Sequence, residues 1–142
     1  MTCIRRIALA GLLASIVTHP ARGDVVVVVS AKSPINNLSE RDVEAIFLGR
    51  SSDVSGRAGL VPIDQPEDSL QRHNFYQRIT GKSTAQLKAY WSKIIFTGVG
   101  QPPREVAGDA ATTQALVKDR MAIGYMDIGS VDANVKVVLL LR

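Results

Sequence analysis

Five valines in a row, Val25 to Val29, constrain this chain more than any other feature. A strand with one wet face alternates apolar and polar residues, whereas an unbroken β-branched run must be covered on both faces. Asp24 to Ser30 therefore reads as an inner strand of a parallel or mixed sheet with helices on either side. The polar loop that follows, Ser30-Ala31-Lys32-Ser33-Pro34-Ile35-Asn36-Asn37, is expected at a binding edge, because ligands of open α/β sheets gather at the carboxyl ends of strands.

The residues before the valines read as a targeting segment. Arg5 and Arg6 form a basic start, Ile7 to Val17 an apolar run, and Ala21-Arg22-Gly23 places small residues where a signal peptidase needs them. Residues 1–23 are thus expected to be a signal peptide, leaving 24–142 as a single periplasmic or secreted domain. That run is short for a bilayer crossing and nothing later is long enough, so no membrane span is expected after export. Cys3, the chain's one cysteine, leaves with the leader. So do Arg5, Arg6 and Arg22, which reduces the formal charge from +4 to +1, with 14 basic against 13 acidic residues. Such a balance leaves no electrostatic footprint for nucleic acid.

The remaining elements follow from caps and periodicity. Ser39 with Asp42 forms a capping-box variant, Leu38 and Val43 a hydrophobic staple, and Val43, Ile46 and Phe47 an apolar face that Gly49 ends. Arg50 to Gly59 is a polar connection. Leu60 to Asp64 reads as a second strand. A helix from Ser69 carries Leu70, Phe75 and Ile79 inward and stops at Gly81; Ser83 opens another, with Leu87, Tyr90, Trp91, Ile94 and Ile95 on one stripe. Thr97 to Arg104 reads as a loop, Thr112 to Asp119 as a short helix, Ala122 to Met126 as a strand in which Gly124 permits close backbone approach, and Val135 to Leu141 as the last strand. The order points to an α/β layered domain.

Little in this inventory performs chemistry. His73 is the one histidine after the leader, so zinc, thiol and Ser-His-Asp arrangements lack members, and neither a metal nor a cofactor is expected. Gly81-Lys82-Ser83-Thr84 is no phosphate loop: Tyr76 stands where the first glycine belongs, and a C-cap running into an N-cap explains the segment. Asp53, Asp109, Asp127 and Asp132 fall in turns or helix ends, where acids are ordinary. No enzyme is expected.

The stretch that invites a ligand is Val61 to Phe75, VPIDQPEDSLQRHNF. A strand running into a helix start presents about four unpaired N–H groups and a partial positive charge to an oxyanion. Ser69 adds a hydroxyl and Gln65 an amide. Glu67 and Asp68 pull the other way: beside an anion they repel it unless they cap the helix or accept a ligand proton, and Pro66-Glu67-Asp68 is equally an ordinary first turn.

Several segments together resemble the phosphate-binding proteins of ABC transporters. Leu38-Ser39 through Ile46-Phe47-Leu48-Gly49 is similar to their "L-[ST]…IF-x-G" helix, Val61 to Phe75 to their strand, polar turn and "SGT…F" helix start, and Gly98 with Ala122-Ile123-Gly124-Tyr125 to their glycine loop and "AIGY" strand. The resemblance implies a periplasmic-binding-protein-like lobe, a mixed, mostly parallel sheet covered by helices. It further implies phosphate or a related oxyanion as ligand, bound by Ser69, Gln65, Asp68 and Leu70 with Ser33 and Thr97 from neighbouring loops. An ABC transporter permease, or a second subunit completing the cleft, is the implied partner. Two departures stand out. Gln65 occupies the position of the family's arginine, with Leu70 and Gln71 in place of its glycine and threonine, which removes a bidentate charge-assisted contact. The match also covers one lobe of a two-lobed clamshell. The alternative is an envelope interaction or regulatory protein that reuses the fold without a small ligand.

Overall fold

All six residues of β1 (Val25–Ser30) are buried. Val25, Val27 and Val29 face one hydrophobic cluster, and Val26 and Val28 face a second on the other side of the sheet. Burying each valine is worth about 1.5–3 kcal/mol relative to exposure, which is why so short a strand can organise two layers. The computed structural model describes residues 23–51 and 59–142. The expected leader up to residue 22 and most of the 50–59 connection lie outside them.

The elements in chain order are β1, α1 (Glu40–Phe47), β2 (Val61–Asp64), α2 (Leu70–Thr80), α3 (Thr84–Thr97), β3 (Arg104–Glu105), α4 (Asp109–Lys118), β4 (Ala122–Asp127) and β5 (Val135–Leu140), with a 3-10 turn at Ile128–Ser130. The strands form one sheet in the order β3-β2-β4-β1-β5. β2 is parallel to β3 and to β4, while β1 is antiparallel to β4 and β5, so four strands share a direction and β1 opposes them. This is a mixed, mostly parallel α/β sheet. Side chains of α1, α2 and α3 fill the cluster on one face, where Phe47, Phe75, Tyr76 and Tyr125 meet; α4 contributes Ala115 and Leu116 to the other.

Local signals explain most boundaries. Ser39 accepts from the Asp42 amide while Asp42 accepts from the Ser39 amide, the reciprocal cap that starts α1. Ser83 and Gln86 repeat the device at α3. Gly81 and Gly98 end α2 and α3 in the left-handed region, both at φ 68°.

Four expectations are corrected. Helix α4 begins at Asp109, three residues before Thr112, because Gly108 at φ 99° turns the chain into it without a side-chain cap. The segment read as loop up to Arg104 ends in a short strand, since Arg104 and Glu105 add to the free edge of β2. Leu70 is 68% exposed instead of inward; as the first residue of α2 it precedes the turn whose Phe75, Tyr76 and Ile79 reach the core. On α3, Leu87 and Trp91 are buried but Ile95 is 49% exposed, because the helix outruns the layer beneath it.

Candidate functional site

The site is assembled where β2 ends. Val61–Asp64 runs out of the apolar interior with Asp64 at its tip, and Asp64 is 2% exposed. A buried carboxylate is tolerable only if donors replace its water. Here Tyr125 Oη donates to Oδ1 over 2.5 Å, the Gln65 amide donates to the same oxygen at 2.8 Å, Tyr76 Oη donates to Oδ2 at 2.9 Å, and Arg72 Nε donates to Oδ2 at 3.4 Å. Burial, and then the Asp64 charge, push both tyrosine hydroxyls well above their ordinary range, so they stay protonated and keep donating. Burial works against the Arg72 cation, but attraction to Asp64 opposes it and the net shift is upward. Arg72 also lies over the Tyr76 ring, 5.1 Å from its centroid.

The next residue links this carboxylate to the helix start. Gln65 is also 2% exposed. Its Nε2 donates to Asp109 Oδ1 at 2.9 Å and to the Tyr125 carbonyl at 3.0 Å, while its Oε1 accepts from Ser69 Oγ at 3.0 Å. Ser69 is the N-cap of α2: its hydroxyl accepts from the Arg72 amide at 3.2 Å and lies 3.2 Å from Gln71 Oε1. Asp109, at the start of α4, accepts with its second oxygen from the Asp127 amide and from Ser130 Oγ at 2.7 Å. One connected network thus joins the ends of β2 and β4 to the starts of α2 and α4.

Ser69 and Gln65 are therefore together, as the strand-to-helix reading requires, and Leu70 borders the same first turn. Asp68 is exposed in that turn and makes no side-chain hydrogen bond among the described residues. Ser33 is elsewhere. Because β1 runs against β4, pairing Val25 with Asp127, the loop after β1 lies at the opposite edge of the sheet; Ser33 Oγ accepts from the Ile35 amide there. Thr97 is the last residue of α3, and its hydroxyl donates back to the Lys93 and Ile94 carbonyls. The structure brings neither to Ser69. The residues that sequence reasoning overlooked are Asp64, Arg72, Tyr76, Tyr125 and Asp109. The one visible hint was an acid closing an apolar strand, Val61-Pro62-Ile63-Asp64.

Beside the first turn of α2 opens a groove of about 710 Å³, bordered by Leu70, Gln71, His73 and Arg78 on the helix and by Asp24 and Asp127 on the sheet. The backbone amides of Leu70 and Gln71 have no partner among the described residues. No group of acidic, histidine or cysteine side chains suited to a metal occurs among the described residues. No helix among them is long and apolar enough to cross a membrane.

Comparison with known proteins agrees with this geometry at the level of fold. The ABC-type phosphate transport receptor from Vibrio cholerae superposes with a TM-score of 0.64 at 20% identity, over 81% of this chain and 45% of the receptor. This chain has the fold of a phosphate-receptor lobe. A putative phosphate ABC transporter substrate-binding protein with bound phosphate from Clostridium perfringens gives a TM-score of 0.65 at 17% identity, over 81% and 44% of the two chains. PstS from Borrelia burgdorferi gives 0.57 at 16% identity, over 75% and 41%. The chain spans less than half the length of these receptors. No protein-family model and no curated protein sequence matches it.

Proposed function

We propose that this protein is an exported solute-binding module for phosphate or a related small oxyanion, serving an ABC transporter, and that the anion is held at the first turn of α2. The observation that carries this reading is the pair of unpartnered amides at Leu70 and Gln71, beside a serine cap that Gln65 holds in place. A helix start with open amides and a dipole is an anion site by construction. The phosphate receptors of like fold support the ligand class. Gln65 supplies no charge, and the carboxylates of Asp24 and Asp127 border the groove, so binding by this lobe alone is weak: Kd ~1 mM, about −4 kcal/mol. A second subunit or the permease closes over the ligand.

A second reading is favoured by one observation. The amide at the position of the family's arginine is fully spent inside the protein, on Asp109 and the Tyr125 carbonyl. On that reading the lobe is an envelope interaction or regulatory protein with no small ligand. Calorimetry of the purified protein with phosphate, sulfate and acetate separates the two. The oxyanion reading expects saturable heat with phosphate that weakens in Ser69→Ala. No heat at millimolar phosphate, with a stable partner recovered from envelope extract, leaves the second reading standing.

A further inference from the structure

One carboxylate oxygen on the sheet side of the groove beside α2 lacks a donor. Asp127 closes β4, and its Oδ1 accepts from the Gly129 amide at 2.7 Å. Its Oδ2 has no hydrogen-bond or ion-pair partner among the described residues. That oxygen packs against the backbone of Gly23, so closely that a β-carbon there would overlap it. A half-buried carboxylate set against carbon loses part of its water without gaining a donor. Its neighbours on the groove do not supply one. Asp24 adds a second carboxylate, and the Arg78 guanidinium is turned to the Arg142 carbonyl.

The sequence offers a cation at that point. Ala21-Arg22-Gly23 carries the small residues a signal peptidase needs, which sets the scissile bond between Gly23 and Asp24, both exposed. Hydrolysis of that bond consumes one water. It leaves a carboxylate on Gly23, which departs with the leader, and frees an α-amine on Asp24, which is protonated at neutral pH. The sheet holds residue 24 in place: its carbonyl accepts from the Ile128 amide at 2.9 Å, and Val25 pairs with Asp127 across the strands. With Oδ2 against Gly23, standard bond lengths put the Asp24 nitrogen within about 5.5 Å of that oxygen. At such a separation an opposite charge favours the charged form of its neighbour.

We propose that removal of the leader at Gly23 builds an ion pair between the new α-ammonium of Asp24 and Asp127 Oδ2, and that this pair makes the groove receptive to an anion. Before processing, the sheet side of the groove carries two uncompensated carboxylates, Asp24 and Asp127. Afterwards one of them is balanced. In a chain whose Gln65 brings no charge, export thereby switches on the site that it delivers. The effect on the groove rests on the oxyanion reading; the ion pair itself does not.

The experiment exports the full chain from its own leader and compares it with a variant in which one glycine is inserted between Gly23 and Asp24. The insertion keeps Gly23 at the cleavage point, leaves a glycine in the space against Asp127 and moves the ammonium outward by one residue, about 3.5 Å. Mass spectrometry should find that the natural form begins at Asp24; any other start overturns the proposal. At low salt the inserted form should melt about 2–4 °C lower, the scale of one partly exposed ion pair. The difference should vanish in an Asp127→Asn background, where Oδ1 keeps its bond to Gly129. Screening by about 1 M salt should erase it as well, which covers an Asp127→Asn variant that fails to fold. Equal melting, or a difference that survives both treatments, overturns the proposal. Calorimetry with inorganic phosphate should find the natural form binding about threefold to tenfold tighter than the inserted form. Equal phosphate affinity in the two overturns the effect on the groove. Absence of phosphate heat from both, with the melting difference intact, refutes the oxyanion reading and leaves the ion pair standing.

Discussion

The hydroxyl of Tyr125 donates to Oδ1 of Asp64 over 2.5 Å, across 61 residues of chain. That bond ties the interior of β4 to the tip of β2, and the ring that carries it stacks face to face on Phe75 of α2, centroids 4.0 Å apart. The first turn of α2 thus rests on a rigid seam of aromatic contacts and the buried Asp64. On the oxyanion reading, binding at Ser69 would depend on residues that never touch the ligand.

Asp64→Asn is expected to cost about 3–5 kcal/mol, the usual penalty for leaving one member of a buried ion pair without its partner. It leaves Arg72, with a side chain 13% exposed, facing a neutral amide, and two tyrosine hydroxyls competing for one carbonyl oxygen. Urea denaturation measures it. A loss below about 1 kcal/mol, the range of an exposed pair, would mean that Asp64 is not the keystone described.

The two tyrosines predict how stability responds to alkali. Their hydroxyls titrate above the ordinary value of 10.0 in the folded protein and near it in the unfolded chain. Between those values the folded state holds more protons, so the contribution is complete below pH 10 and is lost as pH rises beyond it. The slope reaches about −1.4 kcal/mol per pH unit for each tyrosine. Stability measured from pH 8 to pH 11 should fall above 10 and fall less steeply in Tyr76→Phe.

Gly124 faces α4 at close range: a β-carbon there would lie 2.7 Å from Thr112 Cγ2. Gly124→Ala should destabilise by about 1–3 kcal/mol through overpacking. Thr112→Ser removes that methyl and retains the hydroxyl that donates to the Gly108 carbonyl. The double variant should therefore recover most of the loss. Additive losses in the cycle would show that the steric contact is not the cause.

Ser69→Ala should cost about 1 kcal/mol through loss of the α2 cap, and should weaken phosphate binding. Asp109→Asn points the other way. It takes a negative charge off the network that ends at the α2 start while keeping its shape. Phosphate affinity should rise about threefold to tenfold, the effect of removing one partly screened like charge. Calorimetry of both variants checks this. An unchanged phosphate affinity in Asp109→Asn would place the anion away from this network.

Helix ends were legible because their causes are local. Ser39, Ser69 and Ser83 cap helices, and the glycine stops at 49 and 81 can be read from spacing alone. Gly124 was legible too, as a glycine inside an apolar strand. The site was legible only in part. Ser69 and Gln65 are four residues apart and share a turn, but Asp109 and Tyr125 reach them from elements far along the chain, and no periodicity marks such partners. Ser33 shows the reverse error. Its loop follows a strand, as a binding loop should, yet that strand runs backwards.

By itself, the sequence determined that β1 would be buried on both faces, where the three serine-capped helices would begin, and that one polar turn would sit between a strand and a capped helix. These follow from hydropathy, side-chain stereochemistry and hydrogen bonds within a few residues. The tertiary structure decided the direction of β1, the opposite placement of Ser33 and Ser69, and the burial of Asp64 among four donors. Strand direction and long-range pairing are set by how whole layers close over one another, an energy shared among many residues and written in no single stretch of them.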